Sequence, residues 1–447
     1  MMASATQNRP ILFDLTLSCH RLGEPPDGIL RCERQYARAL LGRPDLSVKF
    51  CRFDKKTGQL ELLSRSTAKM LISYAGNKNR HRRGLAKSVG DIVELMRSSQ
   101  ERRYRWFRWG IGRILRRITG NGHVNAKTIP PGTVYVLSGV AGETHDSEAL
   151  FELTRQTGMA IFAICYDLIP IVHPEFIQIN DVTARFRRYM ELLLVHADRI
   201  ACISDATRTD LVAFAQSETM PVPDLTTLLL GLEIPRRSAA GRPDIVQDLA
   251  PRSYVLCVGN INIRKNHALL YRVWRRFAAE RGEQTPRLVI AGGKGWHADD
   301  VIENLLNDRL VTDHVVMIHQ ASDDAIAWLY ENCLFTVYPS FYEGWGLPVS
   351  ESLAFGRHCI TSATSSMPQA GFGLATTLDP DDDEAWIAAI SELIDEPQAL
   401  EEQERQIEAR FKRRTWDDAG AEFIEQVLST GNDAHARPAG RSKSQST

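Results

Sequence analysis

Arg264 and Lys265 are adjacent cations that follow Gly259, which ends the apolar run Tyr254–Val258. A glycine straight after a strand lets the chain turn closely. Cations at the turn into a helix N-terminus suit a diphosphate, because free N–H groups and side-chain charge converge there. Taken alone, the segment reads equally as a solvated basic turn. It lacks the G-x-x-x-x-G-K-S/T spacing of a P-loop and so does not indicate an ATPase of that type. A second glycine turn, Gly292-Gly293-Lys294-Gly295-Trp296, follows the strand-like run Arg287–Ala291 on the same sheet edge. Such βα turns are common, and this one by itself carries little.

The most informative stretch runs from Tyr338 to Gly356. It holds Glu343 in a glycine-rich loop, Pro348 in the first turn of the following helix, and Glu351 about one turn into that helix. Proline is tolerated at that helical position. The loop amides could hold an anionic group, and a carboxylate on each side could accept hydrogen bonds from sugar hydroxyls. The bland alternative is a helix start with a surface glutamate.

These segments need a frame that brings them together. Short β-branched runs predict strands at Ile11–Leu17, Val48–Phe53, Thr133–Leu137, Ala160–Cys165 and Arg199–Ile203 in the first half. In the second half they predict strands at Tyr254–Val258, Arg287–Ala291, Val315–Ile318, Leu334–Tyr338 and Cys359–Thr361. Helical spacing lies between them, for example at Ile29–Leu41, Ala184–His196, Ala268–Glu280 and Leu347–Phe355. Continuous apolar strands alternating with helices indicate α/β architecture, with parallel sheets covered on both faces. Residues 1–235 and 252–415 are expected to form two Rossmann-like doubly wound domains, joined by the proline-containing linker 236–251. Ligands of such sheets bind outside the carboxyl ends of the strands, so the cleft between the domains is the expected site. Residues 416–430 are expected to form a terminal helix, and the small, polar segment 431–447 a disordered tail.

The string Glu343-Gly344-Trp345-Gly346-Leu347-Pro348, with Glu351, Ala354 and Gly356, resembles the donor-site signature of the retaining GT-B glycosyltransferases of family 4, the group 1 type. Val258, Gly259 and Arg264 to His267 resemble the same family. So do Tyr166-Asp167…Pro170, His173-Pro174-Glu175, Ala197-Asp198…Ile203-Ser204 and Ser365-Ser366-Met367-Pro368. The likeness spans most of the chain apart from residues 55–130 and the tail. It implies a GT-B fold, with the acceptor side in the first domain and the donor side in the second. Arg264 and Lys265 would neutralise the donor diphosphate as it leaves. Glu351 would bind the nucleotide ribose, and Glu343 the donor sugar beside the amides of Gly344, Trp345, Gly346 and Leu347. Gly259 and Gly292 would line the donor site. Asp167, Tyr166 and Ser204 would lie on the acceptor side, Asp167 as a catalytic polar residue. Gly28, within Asp27-Gly28-Ile29-Leu30-Arg31, resembles an element of relatives that build bacterial surface polysaccharides, and would let the backbone come close to the substrates. The co-substrate implied is a nucleotide-diphosphate sugar, with no cofactor and no metal. Asp381–Asp383 reads as an acidic loop, not a metal motif. Two departures stand out: Tyr166 takes a place where relatives often have His, and Gln369 one where they often have Glu.

The chain has 447 residues, 54 Lys+Arg against 55 Asp+Glu, and 43% hydrophobic residues. This argues for real cores and against a globally basic nucleic-acid binder. No apolar run is long enough to span a membrane. The polar segment Met1–Pro10 lacks a signal-peptide core, and the eight cysteines are spaced singly, so a cytoplasmic protein with buried free thiols is expected. One asymmetry is strong. Residues 78–117 carry thirteen Lys/Arg and three acids, a local net of +10. Within it, Phe107, Ile111, Ile114, Leu115 and Ile118 follow helical spacing among arginines. That pattern fits peripheral contact with anionic membrane through residues 102–118, an amphipathic helix packed on its own domain, or an RNA-binding patch. Membrane contact would suit a glycan or lipid-linked glycan acceptor at the inner face of the cell membrane. Two rivals to a transferase are a non-catalytic scaffold of a polysaccharide assembly complex and an epimerase or synthase on the same fold. GDP-mannose is the preferred donor by analogy alone.

Overall fold

Continuous apolar runs become the inner strands of two sheets. The computed structural model describes residues 9–22, 28–73, 124, 128–139, 144–177, 180–234 and 242–431. The basic stretch 78–118, Asp27, the first part of the expected linker and the tail from residue 432 lie outside the described residues.

The first sheet contains β1 (Ile11–Asp14), β2 (Val48–Asp54), β3 (Gln59–Leu63), β4 (Val134–Leu137), β5 (Ala160–Cys165), β6 (Arg199–Cys202) and β7 (Asp224–Thr227). Its order is β3-β2-β1-β4-β5-β6-β7. All pairs are parallel except β2 with β3, a hairpin that places Phe50 opposite Leu63. The second sheet contains β8 (Tyr254–Val258), β9 (Arg287–Ala291), β10 (Val315–Ile318), β11 (Thr336–Tyr338), β12 (Cys359–Ser362) and β13 (Thr376–Leu378). Its order is β10-β9-β8-β11-β12-β13, parallel throughout. Every crossover feeds a loop onto the carboxyl edge, so the loops after β8, β9 and β11 share one rim. The two α/β domains face each other, with Gly344 of the second against Tyr166 of the first.

The expected strand Ile11–Leu17 stops at Asp14. Its carboxylate accepts the Thr16 N–H at 2.7 Å and turns the chain into the short helix Thr16–His20. All eight cysteines are free, and all but Cys19 are buried. Among the described residues no helix is long and apolar enough to cross a membrane.

The helix Trp416–Ser429 follows the second domain in sequence but packs on the first. Phe423 sits among Tyr36, Phe162 and Phe13, at ring-centroid distances of 4.5, 5.7 and 6.2 Å. Trp416 meets Tyr36 edge-on at 5.6 Å. Thr415 and Asp418 form a capping box that fixes where the helix starts. The chain passes between domains twice, and the two passages are hydrogen-bonded, Leu232 N–H to Arg414 O at 2.9 Å.

Candidate active site

β8 ends at Val258, and Gly259 follows with φ at 143°, a conformation open to glycine. Its neighbour across the sheet edge is Gly292, where a Cβ would collide with the Gly259 carbonyl. The Gly293 N–H donates to Asn260 Oδ1 at 3.0 Å, so the two glycine turns form one surface. Asn262 then caps a single tight turn, Ile263–Lys265, accepting the Lys265 N–H at 3.0 Å. That turn aims both cations at the loop after β11.

There they meet Glu343. Arg264 Nη1 lies 2.6 Å from Glu343 Oε2, and Lys265 Nζ lies 3.0 Å from Oε1. The Tyr338 hydroxyl donates to Oε1 at 2.7 Å and the Ser340 hydroxyl at 2.9 Å. Lys265 Nζ also bonds the Tyr338 hydroxyl and lies over its ring. The loop backbone is tied down as well: the Glu343 N–H donates to Ser365 Oγ at 3.0 Å, and Ser366 Oγ donates to Glu343 O at 2.8 Å. Burial pushes the Glu343 carboxyl up. The charges of Arg264 and Lys265, with the bonds from Arg264 and Tyr338, outweigh it and hold the group well below the usual carboxylate range. Burial lowers the Lys265 ammonium, and Glu343 partly offsets this. Side-chain exposures of 19% for Arg264, 14% for Lys265 and 11% for Glu343 leave the cluster part-desolvated but reachable.

Gly346, with φ at 96°, begins the helix Leu347–Ala354. The Trp345 ring is buried and packs edge-on to Phe372, so this residue offers the site its backbone. Glu351 lies on the helix and accepts the Tyr330 hydroxyl at 2.9 Å. Burial raises its carboxyl, while the Tyr330 bond and the charge of Arg31 from the first domain lower it.

The first domain faces this cluster. A Cβ on Gly28 would lie 3.8 Å from Leu347 Cδ1. Gly344 abuts the backbone of Tyr166 and the side chain of Asp167. Asp167 accepts the Ile169 N–H at 3.1 Å, and burial raises its carboxyl against the pull of the Arg264 charge. The Tyr166 ring is buried, its hydroxyl donating to Ser138 O at 2.6 Å, so it presents its carbonyl to the interface. Ser204 is fully buried and caps the helix Asp205–Ser217, accepting the Thr207 N–H at 3.1 Å. Behind these lies a buried polar network. Asp14 accepts from Thr16 and Tyr135 and pairs with His145 Nε2 at 2.8 Å. Glu33 accepts the Ser18 N–H at 2.8 Å and ties the short helix Thr16–His20 to the helix Gly28–Leu41.

The sequence reading did not single out Tyr338, Ser340, Tyr330 or Asp210 as site residues. The first two stand within five residues of Glu343, and their spacing is their only signal. Asp210 reaches the site through Tyr342, whose hydroxyl donates to Asp210 Oδ2. A reciprocal pair also crosses between domains. The Asp205 N–H donates to Gln369 Oε1 at 2.9 Å, and Gln369 Nε2 donates to Asp205 Oδ2 at 2.9 Å. An amide can take both parts; a glutamate would set two carboxylates together.

Residues 246–413 match the family model described as glycosyl transferases group 1. The match covers the second domain, less than half of the chain, and the two-domain architecture is the GT-B fold. Relatives in sequence include the O-antigen chain mannosyltransferase B of Escherichia coli, 27% identical over 245 residues, which are 53% of this chain and 63% of that one. The O-antigen chain mannosyltransferase RfbU of Salmonella typhimurium is 26% identical over 166 residues, 36% of this chain and 44% of that one. The matches thus span less than two thirds of these relatives. Among solved structures, the Anabaena protein HepE, crystallised with UDP and glucose, superposes with a TM-score of 0.58 at 13% identity, covering 94% of this chain and all of that one (100%). Sucrose-phosphate synthase of Thermosynechococcus elongatus gives a TM-score of 0.59 at 14% identity, covering 94% of this chain and 98% of that one.

Proposed function

We propose that this protein is a retaining glycosyltransferase of bacterial polysaccharide biosynthesis. It moves a sugar from a nucleotide-diphosphate donor, GDP-mannose preferred, to a glycan or lipid-linked glycan acceptor. The observation that carries the reading is the convergence of Arg264 and Lys265 on Glu343, at 2.6 and 3.0 Å, on the rim facing the first domain. The names of the sequence relatives support the mannosyl donor and the surface-polysaccharide setting.

On this reading Glu343 holds the place of an anion. Two part-buried cations are costly without a counter-charge, and the carboxylate supplies it. The donor diphosphate then takes over the cations, and Glu343 turns to the sugar hydroxyls. As the bond from the anomeric carbon to the phosphate oxygen breaks, negative charge grows on that oxygen, beside groups already in place to stabilise it. The acceptor hydroxyl attacks on the same face and gives its proton to the leaving phosphate. Glu351 holds the ribose. Asp167 orients the acceptor from across the cleft. The two cations supply the charge that a divalent metal would otherwise bring, so the reaction needs none. The acceptor is met at the cytoplasmic face of the membrane, with residues 102–118 as the membrane contact.

The test is a thermal-shift screen against GDP, UDP, ADP, dTDP and their sugar conjugates. A ligand that binds the native state raises Tm. One hit, lost in Lys265→Ala, supports the reading. No shift with any of them favours a non-catalytic scaffold.

A further inference from the structure

We infer that Asp210, in the first domain, is a positioning residue for the donor site of the second, acting through Tyr342 on Arg264. The role given to Arg264 rests on the transferase reading above; the contacts do not. Tyr342 immediately precedes Glu343. Its hydroxyl donates to Asp210 Oδ2 on the helix Asp205–Ser217. Its carbonyl accepts from Arg264 Nη1, and from the Ser340 hydroxyl at 3.3 Å. One residue thus grips the opposite domain with its side chain and the diphosphate cation with its backbone.

The surroundings make this a clamp. The His173 ring lies 4.5 Å from the Tyr342 ring, centroid to centroid. Phe176 stacks on Phe341 at 6.0 Å with an interplanar angle of 11°. The Phe341 N–H donates to Arg264 O at 2.8 Å, and Ser340 Oγ to the same oxygen at 3.2 Å. The loop before Glu343 is therefore held between Arg264 on one side and His173, Phe176 and Asp210 on the other. In the free protein two acceptors hold Arg264 Nη1, the Glu343 carboxylate and the Tyr342 carbonyl. When Glu343 turns to the sugar, the Tyr342 carbonyl is the anchor that remains and keeps the guanidinium aimed at the phosphates. When the domains part, Tyr342 loses Asp210, the loop loses its first-domain wall, and Arg264 loses its second anchor. The leaving-group site is complete only while the cleft is shut. This ties bond cleavage to exclusion of water and guards the donor against hydrolysis.

The experiment uses the full chain and the variants Asp210→Ala, Asp210→Asn, Tyr342→Phe and the double variant D210A/Y342F. GDP-mannose with methyl α-mannoside as acceptor is the kinetic probe, read as acceptor-dependent release of GDP, and backbone hydrogen exchange is followed in parallel. Asp210→Ala and Tyr342→Phe are each expected to lower kcat about tenfold, as for one lost charge-assisted hydrogen bond, with KM changed less than about twofold. Asp210→Asn keeps an acceptor oxygen and most of the rate. The double variant falls no further than either single one. Exchange quickens at 338–344 and 262–266 in both single variants. Additive kinetic losses, or unchanged exchange in those two segments, overturn the proposal. If the wild-type chain shows no acceptor-dependent release of GDP, it is the choice of donor or acceptor or the transferase reading that fails, and exchange in Asp210→Ala and Tyr342→Phe alone decides the coupling.

Discussion

Gly344 of the second domain lies so close to Tyr166 of the first that a Cβ added to it would overlap the Tyr166 carbonyl oxygen. Its φ is not in the left-handed region, so the demand for glycine here comes from the facing domain, not from backbone strain. Gly344→Ala should hold the domains apart and displace the donor loop. A shift of an ångström at such a site costs about 100-fold in rate. We expect kcat/KM to fall by about that factor and small-angle scattering to report a larger radius of gyration. Wild-type turnover in this variant would exclude a requirement for the close contact.

Arg264→Ala and Lys265→Ala should each lower turnover by roughly 10²–10³-fold, comparable to losing one preorganised oxyanion donor. Activity of the wild-type protein should survive EDTA. Full turnover in both variants would refute their assignment to the leaving diphosphate, and loss of activity in EDTA would refute the metal-free mechanism.

Glu343→Gln separates stability from ligand binding. It leaves Arg264 and Lys265 without their counter-charge, at a cost of about 1–3 kcal/mol for a pair that water still reaches. Tm of the free protein should fall. The variant should gain more from GDP than the wild type does, because no carboxylate competes for the cations. Calorimetric titration with GDP checks this, and equal or weaker affinity in Glu343→Gln would count against the exchange of partners.

Glu33 gives the chain a pH dependence of its own. Burial, the largest influence, raises its carboxyl to about 8, against the bond from Ser18. Above the ordinary value near 4.5 the unfolded chain has released this proton, while the folded chain keeps it until about pH 8. The folded state therefore binds more protons across that window, and stability falls as pH rises through it. Glu33→Gln should remove this loss. Its Tm should match the wild type near pH 5 and exceed it near pH 8, by on the order of 1–3 kcal/mol in stability. An equal gain at both pH values would exclude the titration as its cause.

The inner strands were legible because burial on both faces demands an unbroken apolar run. Ala160–Cys165, Tyr254–Val258 and Arg287–Ala291 have the ends that their residues predict. The strands Gln59–Leu63, Asp224–Thr227 and Thr376–Leu378 were not predicted. All three lie at sheet edges, where one side faces solvent and polar residues serve as well. Arg264, Lys265 and Glu343 were legible as a set because each stands in a local string of unusual composition. Tyr338 and Ser340 read only as strand and loop residues. The link from Asp210 to Tyr342 spans 132 positions, and nothing in the Asp205–Ser217 helix marks that aspartate. Tyr166 shows a different limit: the sequence names the residue, but only coordinates show that the carbonyl and not the phenol faces the cleft.

The helix Trp416–Ser429 has a consequence for how the protein is made. Phe423 fills a space bounded by Phe13, Tyr36 and Phe162, yet the ribosome reaches it only after the whole second domain has been synthesised. Until then the first domain has an open apolar slot in its middle. The part of the chain that emerges first is thus finished last, and the nascent protein offers a chaperone a hydrophobic groove throughout translation of the second domain.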